Sequence, residues 1–189
     1  MLFRSKVHAR RLMSMILPKS GGAYRIGISG VPGVGKSTFL ESYCSHLLAE
    51  KEDIKIAILA VDPSSELTKG SILGDKTRME SIGKDPRVFI RPTASNGHLG
   101  GVAKSTYEAV ALCEAAGYNY VFIETVGVGQ SETVVSKLVD SFLFLAMPGT
   151  GDELQGIKKG IMEMADIIAL NKCDSGREVA ANQNAIELL

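Results

Sequence analysis

An α/β fold, with a mostly parallel sheet of about six strands and helices on both faces, is predicted by three features of the sequence. Short β-rich runs alternate with helical stretches along the chain. A glycine-rich octad, Gly30-Val31-Pro32-Gly33-Val34-Gly35-Lys36-Ser37, stands between the first β-like run and a helix-like stretch. Polar and acidic residues then close three of the later β-runs, at the strand ends where open α/β sheets gather their ligands.

The first twenty residues hold Arg4, Lys6, Arg10, Arg11 and Lys19 and no acid, a bias shared by import signals. Leu12, Met13, Ile16 and Leu17 nevertheless recur at helical spacing, Pro18 stops the run, and Gly21-Gly22 leads into the first strand. Residues 1–22 are therefore expected to form a structural helical segment, with residues 23–189 as one domain. The first strand is predicted over 25–29 and the helix after the octad over 37–49. Further strands are expected at 55–62, 88–91, 120–125, 141–147 and 167–171, and helices at 102–116, 133–138, 152–164 and 177–189. No internal repeat or low-complexity stretch argues for a second domain.

The octad fits G-x-x-x-x-G-K-[ST] in its proper strand-to-helix setting, which assigns the chain to the P-loop NTPase class. In such a loop the glycines let successive backbone N–H groups converge on phosphates. Lys36 reaches the β- and γ-phosphates, the Ser37 hydroxyl coordinates Mg²⁺, and the dipole of the following helix adds to the anion site.

Composition narrows the rest. A chain of 189 residues has the length of a single domain and can bury roughly 70% of its unfolded surface. Its 21 basic and 21 acidic residues cancel, which argues against a nucleic-acid groove as the main business. Cys44, Cys113 and Cys173 form no C-x-x-C pair and have no histidine at metal spacing, so reduced thiols in a cytosol are expected. No apolar run approaches the roughly 18 residues of a membrane span, so a soluble chain is expected.

The strand ends carry the specific chemistry. Asn171-Lys172-Cys173-Asp174 matches N-K-x-D. A carboxylate at Asp174 has only acceptor lone pairs and takes both the ring N–H and the exocyclic amine of guanine, whereas adenine presents an acceptor at that ring position. Glu124-Thr125-Val126-Gly127 lies where D-x-x-G is expected. There the Gly127 N–H would approach the γ-phosphate, and the acid would act on Mg²⁺ through water or position the attacking water. Asp62 and Asp75 are the other acids expected near the metal or the water.

Longer stretches resemble a known family. VDPSS (61–65), GSILGDKTRM (70–79), RPTASNGHLGG (91–101), ETVGVGQSE (124–132) and PGTGDELQGIKKGIMEMADIIALNKCD (148–174) look like the MeaB GTPases. This group includes the human methylmalonic aciduria type A protein and bacterial chains labelled ArgK, arginine/ornithine transport kinases. The resemblance implies a cytoplasmic G-protein chaperone, in the mitochondrial matrix if eukaryotic, that uses GTP and Mg²⁺. Its partner would be an adenosylcobalamin-dependent acyl-CoA mutase such as methylmalonyl-CoA mutase, to which it gates cofactor delivery and which it protects.

By that resemblance residues 30–38, Thr38 included, bind phosphates and Mg²⁺. Asp62, Asp75 and Glu124 belong to the metal and switch apparatus, Asp174 reads guanine, and residues 149–159 are a further switch segment that answers to the mutase. The family continues past the position of Leu189 with another guanine-contacting loop, a strand and a helical dimerisation extension, so the resemblance implies a chain truncated at its C-terminus.

Other readings share the phosphate loop. A kinase needs an acceptor site with a positioned base, and no segment beyond the GTPase elements suggests one. A nickel metallochaperone is expected to carry a His-rich tract or a Cys/His site, whereas His8, His46 and His98 are scattered. A binding module without turnover is the third. Hydrolysis is expected by in-line attack of water, and slowly, since no glutamine directly follows Gly127 although Gln130 lies close.

Overall fold

A computed structural model describes residues 6–62, 79–94, 99–125, 131–148, 160 and 163–174. In chain order they form α1 (Lys6–Ile16), a 3-10 turn (Leu17–Lys19), β1 (Tyr24–Gly30), α2 (Lys36–Glu50) and β2 (Ile56–Asp62). A second 3-10 turn (Ile82–Lys84), β3 (Val88–Ala94), α3 (Leu99–Ala115), β4 (Tyr120–Thr125), α4 (Ser131–Ser136), β5 (Ser141–Ala146) and β6 (Ile167–Leu170) follow. The expected helices over 152–164 and 177–189 lie almost wholly outside the described residues.

The six strands make one sheet in the order β3-β2-β4-β1-β5-β6, and every neighbouring pair is parallel. β1 therefore sits inside the sheet between β4 and β5, and all six strands end on one edge. Because side chains alternate across a strand, adjacent apolar residues serve opposite cores. Ile58 and Phe122 join Ile28, Leu40, Cys44 and Leu145 on the α2 side, while their neighbours Leu59 and Ile123 join Val110, Cys113, Val135, Phe142 and Phe144 on the α3 and α4 side. A sheet covered on both faces needs such continuous apolar runs. Each large side chain so buried contributes about 1.5–3 kcal/mol.

Several ends differ from the sequence expectation for local reasons. β3 runs to Ala94, past Pro92. Proline lacks an N–H for the ladder, but β3 is an edge strand, where that donor faces no partner. Arg87, just before β3, donates from Nη1 to the carbonyl oxygens of Leu48, Lys51 and Glu52 at 3.1, 3.3 and 3.2 Å. It thereby satisfies the free carbonyls where α2 ends. Glu114 of α3, its side chain 1% exposed, accepts from Arg25 Nε and from the Gly21 N–H, both at 2.8 Å. This carboxylate ties β1 and the linker after α1 to α3, and it raises the Arg25 pKa.

Candidate functional site

The chain leaves β1 at Gly30 and enters α2 at Lys36 through a loop whose shape depends on glycine. Gly30, Gly33 and Gly35 have φ of 154°, 78° and 96°, values that L side chains rarely adopt. A Cβ on Gly30 would run into the Leu145 carbonyl oxygen, and one on Gly35 would stand 3.0 Å from Asn171 Nδ2. Val34 anchors the loop, fully buried in the α2-side core, while Pro32 and Gly33 are exposed. Gly35 precedes α2 with left-handed geometry and offers no side-chain cap. The backbone N–H groups of the first turn are thus left to an outside acceptor, the arrangement that favours an anion.

Lys36 is 9% exposed, and its Nζ donates to Gly30 O at 2.8 Å and to Val31 O at 3.3 Å. Burial lowers its pKa, an effect opposed by the charges of Glu124 and Glu132. Ser37 Oγ donates to Glu124 Oε1 at 2.9 Å, joining the start of α2 to β4. This pair of hard oxygens suits Mg²⁺, which takes oxygen ligands. Thr38 is exposed on the next position of α2.

Beyond β6 the chain returns to the same loop. Asn171 N–H donates to Ala146 O at 2.8 Å, and its side-chain Nδ2 donates to Val34 O at 2.8 Å. Lys172, left-handed at φ 58°, donates from Nζ to Gly33 O at 2.7 Å. Two consecutive residues therefore hold two carbonyls of the glycine loop. Asp174 is exposed two residues further on. Asp62 closes β2 on this edge of the sheet, in register with Ala94.

The sequence-predicted residues Gly30, Val31, Pro32, Gly33, Val34, Gly35, Lys36, Ser37, Glu124, Asn171 and Lys172 are thus brought together. Asp75, Gly127, Gln130 and residues 149–159 lie outside the described residues. Among the described residues no group of three or more His, Cys, Asp or Glu side chains is disposed to hold a metal. The metal set expected from sequence, Ser37, Asp62, Asp75 and Glu124, is represented by the Ser37–Glu124 pair. Sequence reasoning missed Glu132, a wholly buried acid whose charge acts on Lys36. Its only signal was an acid eight positions past Glu124. No helix among the described residues is long and apolar enough to cross a membrane.

Comparison with known proteins places the chain in a family. Residues 3–189 match the family model described as methylmalonyl Co-A mutase-associated GTPase MeaB. The chain is similar to the GTPase ArgK of Escherichia coli, 53% identical over 90% of this chain and 51% of that protein. It is also similar to the mitochondrial methylmalonic aciduria type A homolog of Mus musculus, 50% identical over 85% of this chain and 38% of that protein. A crystal structure of an LAO/AO transport system kinase superposes with a TM-score of 0.74 at 37% identity, covering 99% of this chain and 56% of that one. The chain spans about half the length of the curated bacterial relatives it matches. It belongs to the MeaB family.

Proposed function

We propose that this member of the MeaB family binds GTP and GDP with Mg²⁺ and hydrolyses GTP to GDP and phosphate at a slow basal rate. On the same reading it is a G-protein chaperone that gates cobalamin delivery to, and protects, an adenosylcobalamin-dependent acyl-CoA mutase. The observation that carries the nucleotide reading is the joining of two motifs separated in sequence. The Asn171-Lys172 pair is bonded to the glycine loop at Val34 and Gly33, so the segment that would read the base is held against the segment that would hold the phosphates. The family's description as mutase-associated supports the client.

In this mechanism the N–H groups of residues 33–38 and the Lys36 ammonium bind the phosphates and stabilise charge as it spreads over the transferring phosphoryl group. Ser37 and Glu124, with Asp62 and Asp75, are the residues that would hold Mg²⁺, which when bound would supply further neutralisation of that charge. Glu124 orients the attacking water, and Gly127 brings its N–H to the γ-phosphate. Asp174 accepts from the guanine ring N–H and amine. An adenine there would leave the carboxylate facing a lone pair, at a cost of about 1–3 kcal/mol or more. Residues 149–159 act as a switch that responds when nucleotide and mutase are bound together. On this reading the protein works in the cytoplasm, or in the mitochondrial matrix of a eukaryote.

Calorimetry tests the base reading: GTP and GDP bind in preference to ATP, and Asp174→Asn moves the preference toward xanthine nucleotides. Equal affinity for ATP and GTP would overturn it. Single-turnover assay of the purified chain separates a GTPase from a binding module. For the client, Lys158→Ala and Lys159→Ala leave basal GTP affinity nearly intact and weaken mutase-stimulated hydrolysis; stimulation surviving both removes the switch assignment.

A further inference from the structure

Glu132 lies in the first turn of α4, fully buried, with Oε2 accepting from Ser131 Oγ at 3.2 Å and Oε1 without a hydrogen bond. A carboxylate buried with one oxygen unpartnered is costly unless a nearby charge compensates it. The packing of α4 on β1 gives its place in the fold. α4 runs back from the carboxyl edge of the sheet, since it joins the end of β4 to the start of β5. On β1, a Cβ at Gly27 would stand 3.2 Å from Val135 Cγ1, so Val135 overlies Gly27. Ser29 faces the same side two residues on, and Glu132, one turn earlier on α4, lies over that end of the strand.

Ser29 is itself wholly buried with an unbonded hydroxyl. The next residue is Gly30, whose carbonyl holds Lys36 Nζ at 2.8 Å. Among the described residues, Glu124 and Glu132 are acids whose charges act on that ammonium. Glu124 is occupied with Ser37; the Glu132 hydrogen bond goes to Ser131, and its effect on the ammonium is through charge.

We propose that Glu132 is a positioning residue: its buried carboxylate is the counter-charge to the Lys36 ammonium and sets how strongly the glycine loop favours a triphosphate over a diphosphate. The inference rests on the reading that nucleotide phosphates occupy this loop. An anion behind the loop offsets part of the attraction between the ammonium and the ligand, and the offset grows with the ligand's charge. Glu132 therefore narrows the difference between triphosphate and diphosphate affinity, which favours exchange after hydrolysis.

Glu132→Gln keeps the shape of the side chain and removes the charge. Calorimetric titration of the full chain with GTP, GDP, ATP and ADP in Mg²⁺ buffer is expected to show the triphosphate-over-diphosphate affinity ratio rising roughly 3- to 10-fold in this variant. Glu132→Asp, which keeps the charge, is expected to stay within about twofold of the natural chain. A packing role alone would move the thermal midpoint of Glu132→Gln and leave the ratio where it was. An unchanged or reduced ratio overturns the proposal, and so does the same rise in Glu132→Asp. A Glu132→Gln chain that fails to fold, beside a folded Glu132→Asp whose ratio has shifted, also overturns it. If the natural chain binds ATP as well as GTP, the guanine reading falls while the ratio still decides the role of Glu132. If it binds neither, both fall together.

Discussion

Gly30→Ala and Gly33→Ala separate two costs that the glycine loop combines. At Gly30 the backbone has φ 154°, and a Cβ would collide with the Leu145 carbonyl oxygen and stand 3.1 Å from both Leu145 Cβ and Val34 Cγ1. Leu145 is the β5 residue in register with Gly30, so its carbonyl retreats only by loosening the β1–β5 pairing. The dihedral strain costs about 1–3 kcal/mol and the overpacking about 1–3 kcal/mol, so Gly30→Ala is expected to lose about 2–6 kcal/mol. At Gly33 φ is 78°, but nothing lies within 4 Å of the built Cβ. The backbone cost alone remains, about 1–2 kcal/mol. With a urea m-value of about 2 kcal/mol/M, the midpoint should fall by about 1–3 M for Gly30→Ala and by about 0.5–1 M for Gly33→Ala. Equal shifts would show that the contact with Leu145 costs nothing. A Gly30→Ala shift under about 0.3 M would refute the strain argument as well.

Lys36→Ala is expected to abolish detectable triphosphate hydrolysis while the chain stays folded, because the ammonium is bonded to loop carbonyls and not to the apolar core; turnover assays beside circular dichroism check it, and unchanged turnover sinks it. Asp85 accepts from Arg87 Nη2 at 2.8 Å, which holds its carboxyl below the ordinary 3.8. Its folded pKa is thus depressed, so its contribution to stability is present above the unfolded value and lost as pH falls through the folded one. Asp85→Asn should flatten the stability curve below about pH 4 and leave its slope between pH 5 and 7 unchanged, as measured by urea titrations across pH. Burial pushes the Cys44 thiol up to about 12 and the Cys113 thiol up to about 11, while Cys173 is half-buried. Iodoacetamide at pH 8 should label Cys173 first by mass spectrometry; Cys44 labelled as fast would mean that the α2-side core opens readily.

The phosphate loop was legible because its signal is local: Gly30 to Ser37 need only a strand before them and a helix after. The number and parallel run of the strands were legible for a related reason, since residues such as Ile58-Leu59 and Phe122-Ile123 are apolar on both faces and leave no side for solvent. Strand order was not, because nothing in the sequence of β1 states that β4 and β5 flank it. The strand expected over 88–91 runs on through Pro92 to Ala94, since an edge position removes the penalty that proline would bring to a central strand. The bonds from Asn171 and Lys172 to Val34 and Gly33 depend on backbone carbonyls, which every residue type carries and no sequence pattern marks. Glu132 was passed over because acids are expected at surfaces, and only the packing of α4 over β1 takes it inside.

Asn171 and Lys172 also bear on the order in which this molecule comes into being. Val34 and Asn171 are 137 positions apart, and Gly33 and Lys172 are 139 apart. On a ribosome adding about 5–20 residues each second, the glycine loop emerges on the order of ten seconds before the residues that hold its carbonyls. β1 must also wait for β4 and β5, its neighbours on either side. The nascent loop therefore spends that interval without its latch, and β6 is the strand whose arrival closes it. A released chain ending before Ile167 should form most of its sheet and leave its glycine loop sensitive to protease, and one extended through Lys172 should protect it.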